Sequence, residues 1–339
     1  MGRHRRHCKR SVVFHAIFGV GLLLPVTGDI WQRAQTPVPV VAKAPTIEIN
    51  PDDWQSLAMA VRRQANRFPG VSGYVIKDLK TNQIVSANEA ESFPSASLIK
   101  LPILCAAFQA AEEGKFSLTQ THVLTRADKR GGSGVLKIAP IGTVLTNREL
   151  LELMIVNSDN TAANLIVQQL GFDYLQDAFM RLGLLDTQIH PDGFRLTNRH
   201  VPDDNMTSPR DMALLLEKIY ERQLVSPVAS DQMLDILKHQ HLRDRLPRFL
   251  PTGWLIAHKT GLLRKACHDV GIVFSPQGDY MICVLTSHDR TYKLAKRFIA
   301  SMGRITYDYY QGSLPVHPSS LHRPVMQTSR APAPVSPAS

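Results

Sequence analysis

Three short motifs, separated by long stretches of chain, place the strongest constraint on how this sequence folds. They are Ser97-Leu98-Ile99-Lys100, Ser158-Asp159-Asn160 and Lys259-Thr260-Gly261. A serine hydroxyl attacks a carbonyl at neutral pH only when a base removes its proton, and a lysine three residues later shares its helical turn. The fold must therefore bring residues 97, 100, 158 and 259 into one pocket.

The combination of motifs is far more specific than any one of them. In a chain of 339 residues a serine and a lysine three positions apart occur about once by chance. The triplets Ser-Asp-Asn and Lys-Thr-Gly are each expected about 0.1 times or fewer, and requiring both in this order lowers the chance further. The set predicts an acyl-transfer site in which Ser97 is the nucleophile.

The three motifs together resemble those of the class A β-lactamases, within the wider superfamily that includes the penicillin-binding proteins. Segments 158–165 (SDNTAANL), 207–213 (TSPRDMA) and 258–261 (HKTG) are also similar to the family's sequence around its active site. The resemblance covers roughly residues 52–312. It implies an exported serine hydrolase that opens β-lactam amides through an acyl-enzyme on Ser97, without a metal or other cofactor.

The resemblance also implies a role for each motif residue. The catalytic residues are Ser97, Lys100 and Ser158, and the substrate-binding residues are Asn160, Lys259, Thr260 and Gly261. Ser158 passes a proton to the leaving nitrogen in this scheme, and Asn160 holds a side-chain amide of the substrate. Lys259 and Thr260 bind its carboxylate, since an ammonium and a hydroxyl both donate to anionic oxygen.

Backbone groups complete the implied site. The N–H groups of Ser97 and Leu262 would form an oxyanion hole, in which one donor is worth about 3 kcal/mol in the transition state. Asp159 is expected to turn inward as a structural acceptor. Gly261 is expected near the end of a strand, where the missing Cβ lets a substrate backbone approach the edge. Simpler interpretations remain: helix caps, a solvated lysine and an exposed strand end.

One part of the family pattern is missing. Class A β-lactamases carry a Glu-x-x-Leu-Asn motif between the second and third motifs, and its Glu activates the water that releases the acyl group. Counting back from Asn198 puts Phe194 at the Glu position. Asp192, Asp203 and Asp204 are nearby but have the wrong spacing. We therefore expect acylation to outrun deacylation.

The carboxylate pocket also departs from the family. Where many class A enzymes have an arginine, this chain has His268, and Arg264 is a possible substitute. We favour a purely structural interpretation, in which His268 and Asp269 form a hydrogen-bonded pair at a strand start. Leu262 is bulkier than the small residue usual after Lys-Thr-Gly and should narrow the pocket.

Hydrophobic periodicity predicts an α+β fold. Strands are predicted at residues 73–77, 84–88, 254–259, 270–274 and 280–286. Helices are predicted after the capping-box spacing of Thr146 to Glu149, after Ser208-Pro209, and over residues 294–309. We expect an α/β sandwich: a mixed but mostly antiparallel five-stranded sheet flanked by helices. An all-helical lobe completes it, and the resemblance puts the active site between the two.

Composition defines the two ends of the chain. Residues 1–28 combine a basic start with the apolar run 11–26, as in a signal peptide or N-terminal anchor. Residues 29–50 suit a flexible linker, 51–312 the catalytic domain, and 313–339, with six prolines and no acidic residue, a disordered tail. The formal charge of +10 falls to +3 between residues 11 and 312, so nucleic-acid binding is not expected.

Partners and alternatives follow from these observations. We expect a monomer, periplasmic or extracellular, with a possible N-terminal membrane tether. Its partner would be a β-lactam or a peptidoglycan stem peptide. Cys105, Cys267 and Cys283 are expected to be buried free thiols, and no Cys-x-x-Cys or clustered histidine spacing suggests a metal. Two alternatives stay open: a D-alanyl-D-alanine carboxypeptidase or peptidoglycan hydrolase, and a non-catalytic cell-envelope or penicillin-binding protein.

Overall fold

The computed structural model describes residues 51–194 and 204–311, without the side chains of residues 51–53, 192 and 194. The helices are α1 Pro51–Asn66, α2 Lys100–Glu112, α3 Asn147–Val156, α4 Asn160–Leu170, α5 Phe172–Leu182, α6 Pro209–Tyr220, α7 Pro227–Lys238 and α8 Tyr292–Tyr310. The strands are β1 Val71–Asp78, β2 Ile84–Ala87, β3 Phe93–Pro94, β4 Thr121–Val123, β5 Val144–Thr146, β6 Met206–Thr207, β7 Leu255–Leu263, β8 Ala266–Phe274 and β9 Tyr280–Ser287. The predicted signal or anchor, linker and proline-rich tail lie outside the described residues.

A five-stranded sheet with the order β2-β1-β9-β8-β7 forms the centre of the fold. All of its neighbouring strands pair antiparallel. The predicted α+β class and the five strands are therefore confirmed, whereas the expectation of a mixed sheet is wrong. Strands from both ends of the domain meet because β1 pairs with β9, from Val71 opposite Ser287 to Asp78 opposite Tyr280.

Local sequence signals set several helix starts. Thr146 and Glu149 form the predicted capping box at the start of α3, with both reciprocal hydrogen bonds present. The Ser208 hydroxyl caps α6 by accepting from the backbone of Asp211, and Pro209 occupies the first turn, where its missing N–H costs nothing. These helices begin where the sequence predicts.

The sheet separates two hydrophobic cores. Along β9 the alternation of a pleated strand sends Met281 and Cys283 to one core, and Tyr280 and Ile282 to the other. The first core packs helices α2–α7 against one face of the sheet, and the second packs α1 and α8 against the other face. Cys105, Cys267 and Cys283 are buried free thiols, as expected.

Helix α2 runs through the middle of the helical lobe. Its residues from Lys100 to Phe108 are all buried, as expected for a helix that is apolar all round. Lys100 is the one charged residue in that buried stretch. A buried helix of this kind fixes the position of its first residue, Lys100, which is the last residue of the first motif.

Candidate active site

Ser97 lies in a 3₁₀ turn, Ala96–Ile99, that leads directly into α2. The preceding residue, Ala96, has a φ of 49°, in the left-handed region that costs a residue with a Cβ about 1–2 kcal/mol. The turn is held from outside, because the Ser95 backbone donates to the Asn205 carbonyl at 2.7 Å. Ser97 is half-buried on this strained turn at the N-terminal end of α2.

Ser158 is held in a second strained conformation. Its φ is 51°, and its side chain is buried. The next residue, Asp159, caps α4 by accepting from Ala162 N and also accepts from the backbone of Val135 and Leu136. Asp159 therefore turns inward, and its carboxylate holds the loop before it. Strained residues of this kind persist where surrounding contacts over-determine them, often at active sites.

Lys100 meets the second motif rather than Ser97. Its amine donates to the Ser158 carbonyl at 2.6 Å, to the Ser158 hydroxyl at 3.3 Å and to Asn160 Oδ1 at 2.7 Å. No hydrogen bond within the described ranges joins it to the Ser97 hydroxyl. Burial lowers the pKa of Lys100 to about 7, although the Asp159 carboxylate opposes this shift. About half of the Lys100 amines are therefore neutral near pH 7.

Lys259 approaches the same hydroxyl from the sheet. Its amine donates to the Ser158 hydroxyl at 3.1 Å and to the Thr260 carbonyl at 2.8 Å. Lys259 is completely buried, and this desolvation, together with the charges of Lys100 and Arg245, lowers its pKa well below the usual value. The Ser158 hydroxyl thus lies between two amines whose charged forms repel each other.

The third motif lies in the C-terminal half of β7, and the strand runs on past it for two residues. Strand β7 continues through Leu263, and a two-residue turn with Lys265 at a φ of 63° leads into β8. The predicted strand end at Gly261 is therefore two residues short of the observed end at Leu263. At Gly261 a Cβ would lie 3.2 Å from the Ser95 carbonyl and 3.3 Å from the Ala96 Cβ. The glycine therefore allows β7 to approach the segment that carries Ser97.

Asn160 connects the site to a glycine-rich loop. While its Oδ1 accepts from Lys100, its Nδ2 donates to the Gly131 carbonyl at 2.9 Å, and its backbone N–H donates to the Ser133 carbonyl. A Cβ at Gly132 would lie 2.7 Å from Asn160 Nδ2. The loop must therefore be free of side chains where it packs on Asn160. Sequence reasoning missed this loop, although its Gly-Gly-Ser-Gly run was a visible signal.

Arg245 is a second residue that sequence reasoning missed. It is buried before β7, and its Nε donates to the Cys267 thiol at 3.3 Å. Its charge acts on Asp269, the cross-strand partner of Thr260, and on Lys259. The sequence offers no spacing signal for this residue, since tertiary packing alone brings it beside the third motif.

His268 and Arg264 do not supply the expected cation. Burial lowers the pKa of His268 to about 4, so the ring is neutral, and it lies between the Pro94 carbonyl at 2.8 Å and the Thr286 N–H at 3.2 Å. Asp269 pairs instead with His258 at 2.9 Å. The expectation that His268 and Asp269 satisfy one another is therefore wrong. Arg264 is exposed in the turn after β7.

The segment that should carry the deacylating Glu is only partly described. Asn198 and Asp203 lie outside the described residues, as do the side chains of Asp192 and Phe194. Asp204 Oδ1 accepts from the Asn205 backbone at 2.8 Å. None of these observations places a carboxylate near Ser97. The predicted oxyanion donors are likewise located only by element, Ser97 in the 3₁₀ turn and Leu262 in β7.

The described part of the chain has neither a membrane-spanning helix nor a group of potential metal ligands. No helix there is long and apolar enough to span a bilayer. Nor do three or more His, Cys, Asp or Glu side chains come together there in a way that could hold a metal ion.

The fold, together with the site that contains Ser97, Lys100, Ser158 and Lys259, defines a serine hydrolase. The family profile described as the beta-lactamase enzyme family matches residues 56–310. The chain therefore belongs to that family. Among curated proteins it is similar to beta-lactamase VEB-1 of Pseudomonas aeruginosa, with 25% identity over 253 residues, which is 70% of this chain and 85% of that protein.

Solved structures agree with this assignment. A beta-lactamase from Sphaerobacter thermophilus DSM 20745 is 29% identical with a TM-score of 0.70, over 78% of this chain and 99% of that chain. PBP-A is 30% identical with a TM-score of 0.68, over 76% and 96% of the two chains. A single-residue mutant of PBP-A is an acyl-enzyme complex with penicillin G.

Proposed function

We propose that this chain opens β-lactam amides through an acyl-enzyme on Ser97 and releases the acyl group slowly. The observation that carries the proposal is that two lysine amines lie within hydrogen-bond reach of the Ser158 hydroxyl. The Lys100 amine lies 3.3 Å and the Lys259 amine 3.1 Å from its hydroxyl oxygen. A hydroxyl within hydrogen-bond reach of two buried amines suits proton transfer during acyl transfer.

Acylation then proceeds by one proton relay from Ser97 to the leaving nitrogen. The Ser97 oxygen attacks the lactam carbonyl carbon while its proton passes to neutral Lys100. Hydrogen bonds in a free enzyme are often longer than in the substrate complex, so the Ser97 to Lys100 contact is expected to form with substrate bound. The C–N bond breaks as Ser158 gives its proton to the leaving nitrogen. Ser158 then recovers a proton from Lys100, which regenerates the neutral amine.

Substrate recognition uses the cations beside β7. The buried amine of Lys259 and the Thr260 hydroxyl suit a carboxylate, and Arg245 adds a positive charge that acts on Asp269, the cross-strand partner of Thr260. We assign to Arg245 the role that the sequence suggested for His268 or Arg264. Neutral His268 instead braces the backbone at Pro94, three residues before the nucleophile.

Slow release follows from the missing Glu. Hydrolysis of the acyl-enzyme needs a base that activates water, and the described carboxylates near this segment already have strong partners. Asp186 pairs with Arg210 at 2.9 Å, and Asp211 accepts from the Thr187 hydroxyl at 2.8 Å. Lys100 contacts Ser158 and Asn160 rather than a carboxylate base.

Rapid-mixing kinetics with a chromogenic cephalosporin test the proposal. We expect a burst of opened substrate equal to the enzyme concentration, followed by a much slower steady rate. A fast steady rate without a burst would show that another residue replaces the Glu. No reaction at all would favour a non-catalytic envelope protein.

The similarity to PBP-A favours a second candidate function, a D-alanyl-D-alanine carboxypeptidase or related peptidoglycan hydrolase. The same nucleophile and proton relay would cleave a peptide bond, and β7 could receive an extended stem peptide as an added strand. Release of D-alanine from a pentapeptide that mimics the cell wall would decide between the two. D-alanine release with only a single turnover of cephalosporin would establish the peptidase function.

Export completes the proposed function. A basic start followed by an apolar run at residues 11–26 supports secretion to the periplasm or beyond, or retention on a membrane tether. Peptidoglycan and β-lactams are both encountered there. Fractionation of cells that express the full chain tests this, and recovery in the cytosol would overturn it.

A further inference from the structure

We propose that residues 123–144, which flank the active site, form a face that docks on an anionic membrane surface. We call this segment the docking face. It runs from Val123, the last residue of β4, through the connecting loop to Val144, the first residue of β5, and this loop contains Gly131, whose carbonyl accepts from Asn160. The exposed side chains of this segment take no part in the proposed chemistry.

The docking face exposes an unusual number of aliphatic side chains. They are Val123, Val135, Ile138, Ile141 and Val144. Ile138 is 81% exposed and Ile141 is 57% exposed. Val123 and Val144 are direct cross-strand partners, so two members of the set are neighbours on one surface. Single exposed aliphatic residues are common, whereas five of them within one 22-residue segment are typical of an interaction site.

The backbone holds these side chains outward. Leu124 donates to the Thr143 carbonyl at 2.8 Å, and Gly142 donates to the Leu124 carbonyl at 2.8 Å. Leu136 is buried, and its backbone N–H binds the Asp159 carboxylate at 2.8 Å. The aliphatic residues thus project from an ordered loop that is fixed to the second motif.

The charge of the same segment is positive. It contains four basic residues against the single acid Asp128. Arg126 and Lys137 are exposed, and Lys129 and Arg130 are half-buried and donate to backbone carbonyls of the loop. The Asp128 carboxylate already accepts from the Thr125 hydroxyl and backbone and lies 3.2 Å from the His122 ring. Anionic lipid headgroups would therefore meet a net attraction, which strengthens membrane binding about fivefold for each basic residue near the surface.

The combination of groups favours a bilayer over other partners. A cell-wall polymer supplies negative charge but no apolar phase to bury Ile138 and Ile141. A second copy of this chain would present the same positive charge and repel. A bilayer interface offers anionic headgroups with acyl chains a few ångströms below, which suits a segment that exposes both aliphatic and basic residues. The apolar run 11–26 would keep the domain nearby, since residues 27–50 span at most about 80 Å.

Fluorescence quenching by brominated lipid tests the face directly, whatever the N-terminal run does. Ile141→Trp places a probe on the docking face, and Ile84→Trp is the matched control, because Ile84 is 53% exposed on β2, an edge strand of the five-stranded sheet that is not part of the docking face. With full-length protein on phosphatidylglycerol vesicles we expect at least twofold stronger quenching of the added tryptophan at residue 141 than of that at residue 84. Equal quenching of the two would overturn the proposal.

Binding measurements provide the second arm. The double change Ile138→Ser with Ile141→Ser should lower binding to anionic vesicles about tenfold, while Ile84→Ser changes it less than twofold. Arg126→Gln with Lys137→Gln should weaken binding at low salt and reduce its salt dependence. Equal binding to neutral phosphatidylcholine vesicles would contradict the charge argument. A dimer abolished by the double serine change would identify a second copy as the partner and overturn membrane docking.

Discussion

The amine of Lys259 donates to the hydroxyl of Ser158 at 3.1 Å, although 101 residues separate them in the sequence. One lies on a sheet strand and the other at the start of α4, so the contact exists only when the helical lobe packs against the sheet. Both side chains are buried. The relay group for the proposed chemistry is therefore assembled by the tertiary fold.

Acylation should depend on the ionisation of Lys100. Its pKa of about 7 means that the neutral amine is lost as the pH falls below 7. We expect the second-order acylation rate to fall about tenfold per pH unit below 7 and to level off above it. Stopped-flow measurements between pH 5 and 9 test this. Ser158→Ala should lower the plateau about 100-fold without moving the midpoint, whereas a flat wild-type profile would contradict the role of Lys100.

The same amine makes stability depend on pH in a defined direction. Burial lowers the pKa of Lys100 in the folded state to about 7, while an unfolded lysine titrates at about 10.4. Between these values the unfolded chain binds one more proton. The free energy of unfolding of the wild type, relative to Lys100→Met, should therefore rise by about 1.4 kcal/mol per pH unit above pH 7. Urea denaturation at several pH values measures this.

Exposed Lys80 provides the control for that experiment. The difference in stability between wild type and Lys80→Met should not vary with pH over the same range. A slope near zero for Lys100→Met as well would show that Lys100 is not desolvated.

Gly134 should be irreplaceable for a steric reason. Its φ is 110°, and a Cβ there would lie 2.2 Å from Asp159 Oδ2. Gly142 has a φ of 89°, but no atom lies within 4 Å of its Cβ position. An alanine there would meet backbone strain but no steric clash. Gly142→Ala should cost about 1 kcal/mol and Gly134→Ala about 3 kcal/mol or more. Urea midpoints compare the two, and equal losses would show that the Asp159 contact does not decide the cost.

Arg245 should determine the affinity for substrates that carry a carboxylate. Arg245→Gln removes the buried charge next to Thr260 and should reduce the acylation efficiency of penicillin at least tenfold, which corresponds to about 1.4 kcal/mol. Arg264→Gln, in the exposed turn, should change it less than twofold. Circular dichroism shows whether each variant is folded before the rates are compared. A larger effect at Arg264 would reverse this assignment.

The parts of the fold that sequence predicted have local causes. The capping box at Thr146 and the Ser208-Pro209 helix start are complete within a few residues, so their signals can be read along the chain. The true end of β7 was missed because the turn at Arg264 and Lys265 contains no glycine or proline. Lys265 adopts a left-handed conformation there without a sequence signal.

The candidate site was predictable only as far as its motifs extend. Ser158, Lys100 and Lys259 were found because the motifs name them. Arg245 lies 14 residues before Lys259 and reaches the site by tertiary packing, which no spacing rule describes. His268 was misjudged for the same reason, since its partners, Pro94 and Thr286, come from distant parts of the chain.

The most direct test of the account is to locate the covalent adduct. After brief incubation of the full chain with penicillin G, peptide mass spectrometry should find one penicilloyl group on the peptide that contains Ser97. Ser97→Ala should carry none, while its unfolding midpoint stays close to that of the wild type. An adduct on another residue, an adduct that persists in Ser97→Ala, or no adduct on the wild type would contradict the claim that these motifs form one acylation site.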